Sequence, residues 1–471
     1  MKKLIATSLC AVLALGCLTA CGEKTPASSG SEGGNAPVAD ATNDPEVKVI
    51  NVWAFTDEVP KMIDKYVADH PDFGYEIKTT IISTTDNLYT PALDAALQAG
   101  GAEAPDIFCA EAAFVLKYTQ GDASGYAATY KELGIDVDKM IKDGAIADYS
   151  VQIGTRPSDG EVVALGYQAT GGAFIYRRSI AQATWGTDDP ATVKTKIGGG
   201  SGKWDQFWVA ADELKAKGYG IISGDGDIWH AIENSSDKGW IVDGKLHIDP
   251  KREEFLDISK KLKDNGYHND TQDWQDAWYA DMKGEGDKQI FGFFGPAWLI
   301  NYTIAPNCGG NAVGEGTYGD WAICESPVGF FWGGTWLLGN KDSKVKAAVG
   351  DIIEWITLDA SENGLQYAWA NGTVDWDNDP STATAKDSVG SGTVMDKSNG
   401  ELEFLSGQNM FDVFVPANAF ANGKNLTQHD QTINDAFREQ VRLYTAGTIS
   451  REEALNNFKT NVKEKLGIEA E

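Results

Sequence analysis

Basic residues are scarce in this chain. Forty lysines and arginines stand against 69 aspartates and glutamates, leaving a net charge of −29 over 471 residues. Such a balance argues against nucleic acid as a partner and against an electrostatic hold on anionic lipid. Histidine is scarcer still: His70, His230, His247, His268 and His429 stand far apart, with no metal-ligand spacing. No metal and no other cofactor is expected. There is no nucleophile elbow. GGGSGKW at 198–204 fails as a phosphate loop, because Ile197 stands where its first glycine should fall and Trp204 where Ser or Thr is needed. DWDNDP at 375–380 opens like a calcium loop, but Pro380 replaces the glycine and Lys386 the closing glutamate, so it reads as an acidic surface turn. No carboxylate pair announces itself as glycosidase machinery, although 69 acids do not exclude one. After residue 20 no segment offers 18 uninterrupted apolar residues, so no later span is expected to cross a membrane.

Cysteine is also rare, and its placement is informative. Three of the six, Cys10, Cys17 and Cys21, fall in the first 21 residues. Lys2 and Lys3 precede an apolar run, Leu4 to Leu18, broken by Thr7, Ser8 and Gly16, and small residues Thr19 and Ala20 follow. This is the pattern of a secretory signal peptide over 1–20. Leu18-Thr19-Ala20-Cys21 resembles the lipobox of bacterial lipoproteins, which implies that Cys21 becomes the lipidated first residue of the mature chain; the bland reading is an ordinary signal that contains cysteines. Lasting anchorage takes more than one acyl chain. Residues 21–46, rich in Gly, Ser, Ala, Pro and acids and without an aromatic, read as a flexible tether, with an r.m.s. span of about 25–30 Å. Loss of Lys2 and Lys3 would take the net charge to −31.

Three cysteines remain. Cys308 and Cys324 enclose 15 residues rich in Gly and polar groups. Outside the cell this pair predicts a disulfide, which would stabilise by roughly 3 kcal/mol on a loop-closure argument; two free thiols or a metal site are the competing readings. Cys109, in DIFCAEAAF, reads as a small buried residue.

What is abundant is pattern. VKVINVWAF predicts a strand, TDEVPKMIDKYVADH a helix capped by Thr56, YEIKTTIIST a strand, NLYTPALDAALQAG a helix and DIFCAEA a third strand. Strand and helix alternating at this spacing predict a parallel sheet with crossovers, an α/β architecture. The alternation resumes with the helix WDQFWVAADELKAKG, the short strand YGIISG, the helix REEFLDISKKLKDNG and the strand QIFGFFG; from about Lys344 the chain is mostly helical. Two α/β lobes follow. Ligands of open α/β sheets sit beyond the carboxyl ends of the strands, which draws attention to residues 53–58, 84–86, Glu111, 168–170, 225–229 and 295–298.

Tryptophan is conspicuous, at 15 residues. GDGDIWHA, DWQDAWYADM, FFGPAWLINY and GFFWGGTW place Trp beside Gly, Pro, Asp and Gln, where strands or turns end. An aromatic plate beside carboxylates and amides suits a sugar, whose C–H faces stack and whose hydroxyls donate at the rim. Each Trp is equally at home in a core, with its N–H on a carbonyl.

INVWAFTDEVPKM, VVALGYQATGGAFIYRRSI, FGFFGPAWLINY and the helical C-terminus, in that order, resemble the extracellular solute-binding proteins of carbohydrate ABC importers, the family that includes the maltose-binding protein. The resemblance implies an α/β, two-lobed, hinged, class II fold with its ligand cleft between the lobes. Lobe 1 would comprise 47–165 and 328–375, lobe 2 166–327 and 376–471. It implies a monomer, not an enzyme, held at the outer face of a bacterial cell membrane, that captures a sugar and delivers it to a permease. By position, Asp57 and Glu58 match polar ligand contacts, Glu111 a carboxylate contact, and Gln168 a place where maltose binders carry an acid. Trp298 matches the stacking aromatic of a GPW motif, here with an Ala inserted; Trp229 matches an aromatic at the mouth of the second lobe, and Trp336 lies in the returning strand. Asp86 joins this set from the end of the second strand. Two alternatives stand beside it: a lipid-anchored glycan-processing enzyme, and a binder of peptides or other solutes on the same fold.

Overall fold

The computed structural model describes residues 41–84, 87–376, 384 and 386–471. The signal peptide 1–20, Cys21, Asp86 and most of the DWDNDP turn lie outside the described residues. Within the segment assigned to the tether, Asn43 pairs with Val345, and its Oδ1 accepts from Ala348 N at 3.1 Å. The folded body therefore begins before Val47.

Eight strands build the two main sheets: β1 (Val49–Ala54), β2 (Glu76–Ile81), β3 (Ile107–Glu111), β4 (Leu165–Gly166), β5 (Ala173–Arg177), β6 (Gly292–Gly295), β7 (Trp321–Cys324) and β8 (Thr335–Gly339). The first sheet runs β2-β1-β3-β8-β4, the second β6-β5-β7. β1 pairs parallel with β2 and β3, as the strand–helix alternation predicts, while β8 enters antiparallel to both β3 and β4. The second sheet departs from expectation: β5 is antiparallel to both neighbours. YGIISG gives only a bridge, Gly220 to Ile290: Ile221 O still accepts from Gly292 N of β6, but Ile221 N donates to Tyr267 O and Ser223 O accepts from Asn269 N and Thr271 N, which turns the segment toward the loop at 267–271.

Except at the exposed edge strand β2, both sheets are covered on both faces, which is why their strands are largely apolar at consecutive positions. In β3, Ile107 and Cys109 enter one core and Phe108 and Ala110 the opposite one; in β8, Leu337 takes the first side and Trp336 and Leu338 the second. The helix α1 (Glu58–Asp69) seals the first core with Val59, Met62, Ile63 and Tyr66, spaced for one helical face. Asp57, not Thr56, occupies its N-cap, and no side chain caps it. α2 (Tyr89–Ala99) closes the opposite face with Tyr89, Leu93 and Leu97. Below the second sheet, α3 (Asp205–Lys215), α4 (Gly226–Asn234) and α5 (Phe255–Asp264) pack with the chain's last helices into one apolar core. α6 (Lys346–Thr357) backs β8, and α7 (Asp430–Thr445) and α8 (Arg451–Leu466) complete the second core through Ile433, Phe437, Val441, Phe458 and Val462. Each such side chain contributes about 1.5–3 kcal/mol by leaving water.

The strand alternation also corrects the disulfide. Trp321 and Ile323 of β7 face the core that holds Cys308, whereas Ala322 and Cys324 face the other. The two thiols lie on opposite sides of a sheet and are buried and free, as is Cys109. Burial pushes the Cys109 and Cys324 thiols well above their ordinary range.

Two segments join the sheets, 167–172 and 325–334, and they hold each other. Gly172 N donates to Phe330 O at 2.9 Å and Trp332 N to Thr170 O at 3.1 Å. A third segment lies alongside: Ala169 N donates to Val389 O at 3.2 Å and Gly390 N to Tyr167 O at 2.8 Å. Gly171 permits this close approach. A Cβ there would sit 2.7 Å from Asn418 N and 2.8 Å from its Cα, and would also meet the Asn418 Oδ1 that accepts from Gly171 N.

Candidate functional site

A cavity of about 410 Å³ opens where the crossing segments meet both sheets. The first sheet supplies Glu111, at the end of β3, and the turn behind it; α4 supplies Trp229, His230 and Glu233. The loop before residue 275 brings Asp273 and Trp274, and the second crossing brings Trp332. α7 and the residues before it close the far side with Thr427, Asp430 and Arg438.

The aromatic residues form a stepped wall. Trp332 stacks on His230, with ring centres 4.7 Å apart and planes at 25°. Trp298 meets Trp332 edge-on at 5.0 Å and donates its Nε1 to Trp332 O at 3.0 Å. Trp274 lies parallel to Trp298, 6.2 Å away at 9°, and meets Trp332 edge-on at 5.9 Å. Trp274 is 44% exposed, with a φ of +66°, a backbone conformation rare for a bulky side chain. Such strain persists only where the surroundings hold it, and it clusters at functional sites. Trp229 is more deeply set, between Phe255 at 4.8 Å and Phe437 at 5.9 Å, with the Arg438 guanidinium 5.9 Å above its ring.

Carboxylates surround these rings. Burial raises Glu111 to about 7 against the pull of the Ala113 and Ala112 backbone N–H groups; Ala113 N donates to its Oε2 at 2.8 Å. Burial likewise raises Asp430 to about 7, with the Arg252 charge opposing it. Behind the wall Asp227 accepts from Ser223 N, Gly224 N and Trp278 Nε1 at 2.9–3.0 Å. Its own burial, then the nearby Asp273, still raise it to about 8. Glu233 goes the other way: burial disfavours its charge, but His230, Arg252 and Asn434 together hold it below the ordinary value.

The residues singled out from sequence fall in several places. Glu111 and Trp229 line the cavity, and Trp298 braces two rings of its wall. Asp57 projects outward, ion-paired with Lys61 at 2.6 Å. Glu58 accepts the Tyr167 hydroxyl in a separate buried group that includes Asp387, which burial raises to about 7. Gln168 is buried in the first crossing segment. Trp336 corrects its sequence reading: it is 1% exposed, its ring belongs to the core behind the first sheet and its Nε1 donates to Ser150 O at 3.3 Å. Trp274 and Trp332, both in the Trp-rich stretches quoted above, were not singled out; the neighbouring Gly333 and Gly334 (φ +69° and +111°) were the signal that Trp332 sits in a bend, not a strand. Among the described residues no cluster of three or more His, Cys, Asp or Glu could hold a metal ion, and no helix is long and apolar enough to cross a membrane.

Comparison with known proteins fits this geometry. A family model described as bacterial extracellular solute-binding protein matches residues 53–363. No curated protein sequence matches. Among solved structures, an extracellular solute-binding protein of family 1 aligns over 88% of this chain and 99% of its own, with a TM-score of 0.69 at 19% identity. The galacto-N-biose/lacto-N-biose I-binding protein of an ABC transporter from Bifidobacterium longum, in complex with lacto-N-biose, aligns over 91% of this chain and 100% of its own (TM-score 0.62, 15% identity). The GacH receptor of Streptomyces glaucescens, solved unliganded and with acarbose, aligns over 90% and 99% (TM-score 0.58, 15% identity). At these identities the likeness speaks for the fold.

Proposed function

The chain belongs to the bacterial extracellular solute-binding proteins, and from that premise we propose that it captures a sugar, an oligosaccharide, and hands it to an ABC permease. The observation that carries this reading is the cavity itself: about 410 Å³ at the junction of the two sheets, walled by Trp229, Trp274 and Trp332 and rimmed by carboxylates. Stacked indoles bury the C–H faces of a sugar ring, and Glu111 and Asp273 accept from its hydroxyls. In this reading residues 47–165 with 328–375 and 166–327 with 376–471 are the two lobes, and rotation about the crossing segments closes them on the ligand. Cys21 carries the lipid and the residues after it the leash, so that capture takes place at the outer face of the cell membrane. The structural relatives whose names give a ligand bind saccharides, which supports the same class here.

Thermal unfolding of the protein against mono-, di- and oligosaccharides, with amino acids and peptides as controls, tests this. A ligand at a hundred times its Kd adds about 2.7 kcal/mol of stability, a visible shift in Tm. A shift confined to saccharides is expected; a shift with peptides alone, or hydrolysis of the added glycan, would replace this reading with one of its rivals.

A further inference from the structure

The charges around the cavity do not balance. Six carboxylates line it, those of Glu111, Asp225, Glu233, Asp273, Asp430 and Asp435, and the only guanidinium groups among its lining residues are those of Arg438 and Arg442. The basic side chains are engaged or turned away. Arg438 donates to Asp273 Oδ2 at 3.3 Å and lies over the Trp229 ring; Arg442 points to solvent, exposed; His230 Nδ1 lies 3.4 Å from Glu233 Oε2. Behind the wall the fully buried Arg252 sits over the Trp240 ring and faces three carboxylates at once, those of Asp430, Glu233 and Asp249.

Two carboxylate oxygens are left over. Asp430 is 6% exposed; its Oδ1 accepts from the Thr427 hydroxyl at 2.6 Å and from Thr427 N at 3.1 Å, while its Oδ2 is buried with no partner. Asp273 Oδ1 is in the same condition. A buried acceptor left unmade is costly, more so when it is charged, and both residues line the cavity. Trp274, which follows Asp273 and lines the same cavity, offers a part-exposed indole of the kind that attracts a cation as well as a sugar ring. A neutral sugar could fill the acceptors with hydroxyls but would leave the excess negative charge enclosed when the lobes close.

We propose that this cleft prefers a saccharide bearing a protonated amine over its neutral counterpart and rejects the corresponding uronic acid, with Asp430 and Asp273 receiving the ammonium group. This rests on the sugar-binding reading above and narrows its substrate class. An ammonium group brings three donors and one positive charge, which is what two unpartnered carboxylate oxygens in an acid-rich pocket lack.

The test is calorimetric titration of the full chain at low ionic strength with sets of oligosaccharides matched in linkage and length, each set made of a hexose, a hexosamine, an N-acetylhexosamine and a hexuronic acid form. In at least one set the hexosamine form should bind ten times or more tighter than the hexose form, the uronic acid form should not bind, and the preference should shrink several-fold in 0.5 M salt. Asp430→Asn should weaken the hexosamine form at least several-fold more than the hexose form, so that most of the preference is lost; should that variant not fold, Asp273→Asn, whose side chain lies nearer solvent, is read by the same ratio. Equal binding of hexose and hexosamine forms, or binding of the uronic acid, overturns the charge preference and leaves sugar capture standing. Tightest binding by the N-acetyl form does the same, because its amide is uncharged. No binding by any member of any set overturns both.

Discussion

Trp332 and Trp336 are four residues apart in GFFWGGTW, yet they belong to different parts of the molecule. The strand begins at Thr335, and its alternation turns Trp336 into the core behind the first sheet, where Ser150 O takes its N–H. Trp332 lies before the glycine bend and reaches the cavity. The pair separates stability from binding. Trp336→Ala should destabilise the protein by about 3–5 kcal/mol, as emptying a packed indole site does; any folded fraction should keep its ligand affinity. Trp274→Ala should do the reverse. Its ring is 44% exposed, so the folded state loses little, and the backbone strain at its positive φ is unchanged because Ala carries the same Cβ. A lost stacking face worth about 1.5 kcal/mol weakens binding roughly tenfold. Titration and thermal unfolding of both variants check this; a Trp274→Ala protein with unaltered affinity removes that ring from the site. The aromatic wealth of the site was legible in the sequence, as was Glu111 at a strand end. Which Trp faces the cavity was not, because that depends on where a strand starts, to within a single residue, and on the bend before it.

At the scale of elements, the parallel half of the first sheet could be read from local pattern alone: Ile50, Val52 and Ala54 alternate in β1, and Val59, Met62, Ile63 and Tyr66 recur at helical spacing in α1. The second sheet could not. Its direction depends on which strands meet across more than a hundred residues, and β5 pairs with strands at 292–295 and 321–324 that run against it. The same blindness to sheet faces suggested a Cys308–Cys324 bridge that the two sides of β7 forbid. The crossing segments were visible as ATGGAF, but not the reason for the double glycine. Three chain segments converge there, and Gly171 has no room for a side chain between its own backbone and Asn418. Gly171→Ala should therefore push the first crossing away from Asn418. The expected outcome is a Tm lower by several degrees together with weaker ligand binding, since the hinge geometry sets how the lobes meet. By contrast Gly186→Ala, at a helix end with open space around it, should cost only the strain of its positive φ and leave affinity unchanged. If Gly171→Ala binds normally at unaltered Tm, the crowding at this junction has no functional consequence.

For the whole molecule, the acidic balance and the buried carboxylates act in the same direction. Burial raises Glu111, Asp387 and Asp430 to about 7 and Asp227 to about 8, from ordinary carboxylate values near 4. Between those limits the folded chain holds protons that the unfolded chain has released, so stability falls as pH rises. The stabilising contribution of these groups is complete below about pH 4 and is lost as pH climbs through 7 and 8. Glu233 works oppositely: its folded value is lowered, so its contribution is present above the ordinary carboxylate range and is lost on acidification. The exposed acids that ion pairs or caps hold low, such as Asp57 and Asp159, are screened by solvent and add little. A net charge of −29 adds self-repulsion that grows toward alkaline pH. Calorimetry at constant ionic strength should therefore find Tm highest near pH 5–6 and lower by several degrees at pH 8. Added salt separates the two causes, because it screens surface repulsion but reaches buried groups poorly. If 0.5 M salt at pH 8 restores the whole loss, the net charge is responsible; a loss that persists in salt and is reduced by Asp387→Asn belongs to the buried carboxylates. A Tm that is flat or rises from pH 5.5 to 8 would show that these carboxylates ionise without hindrance in the folded protein, and that the cleft is wetter than its enclosed geometry implies.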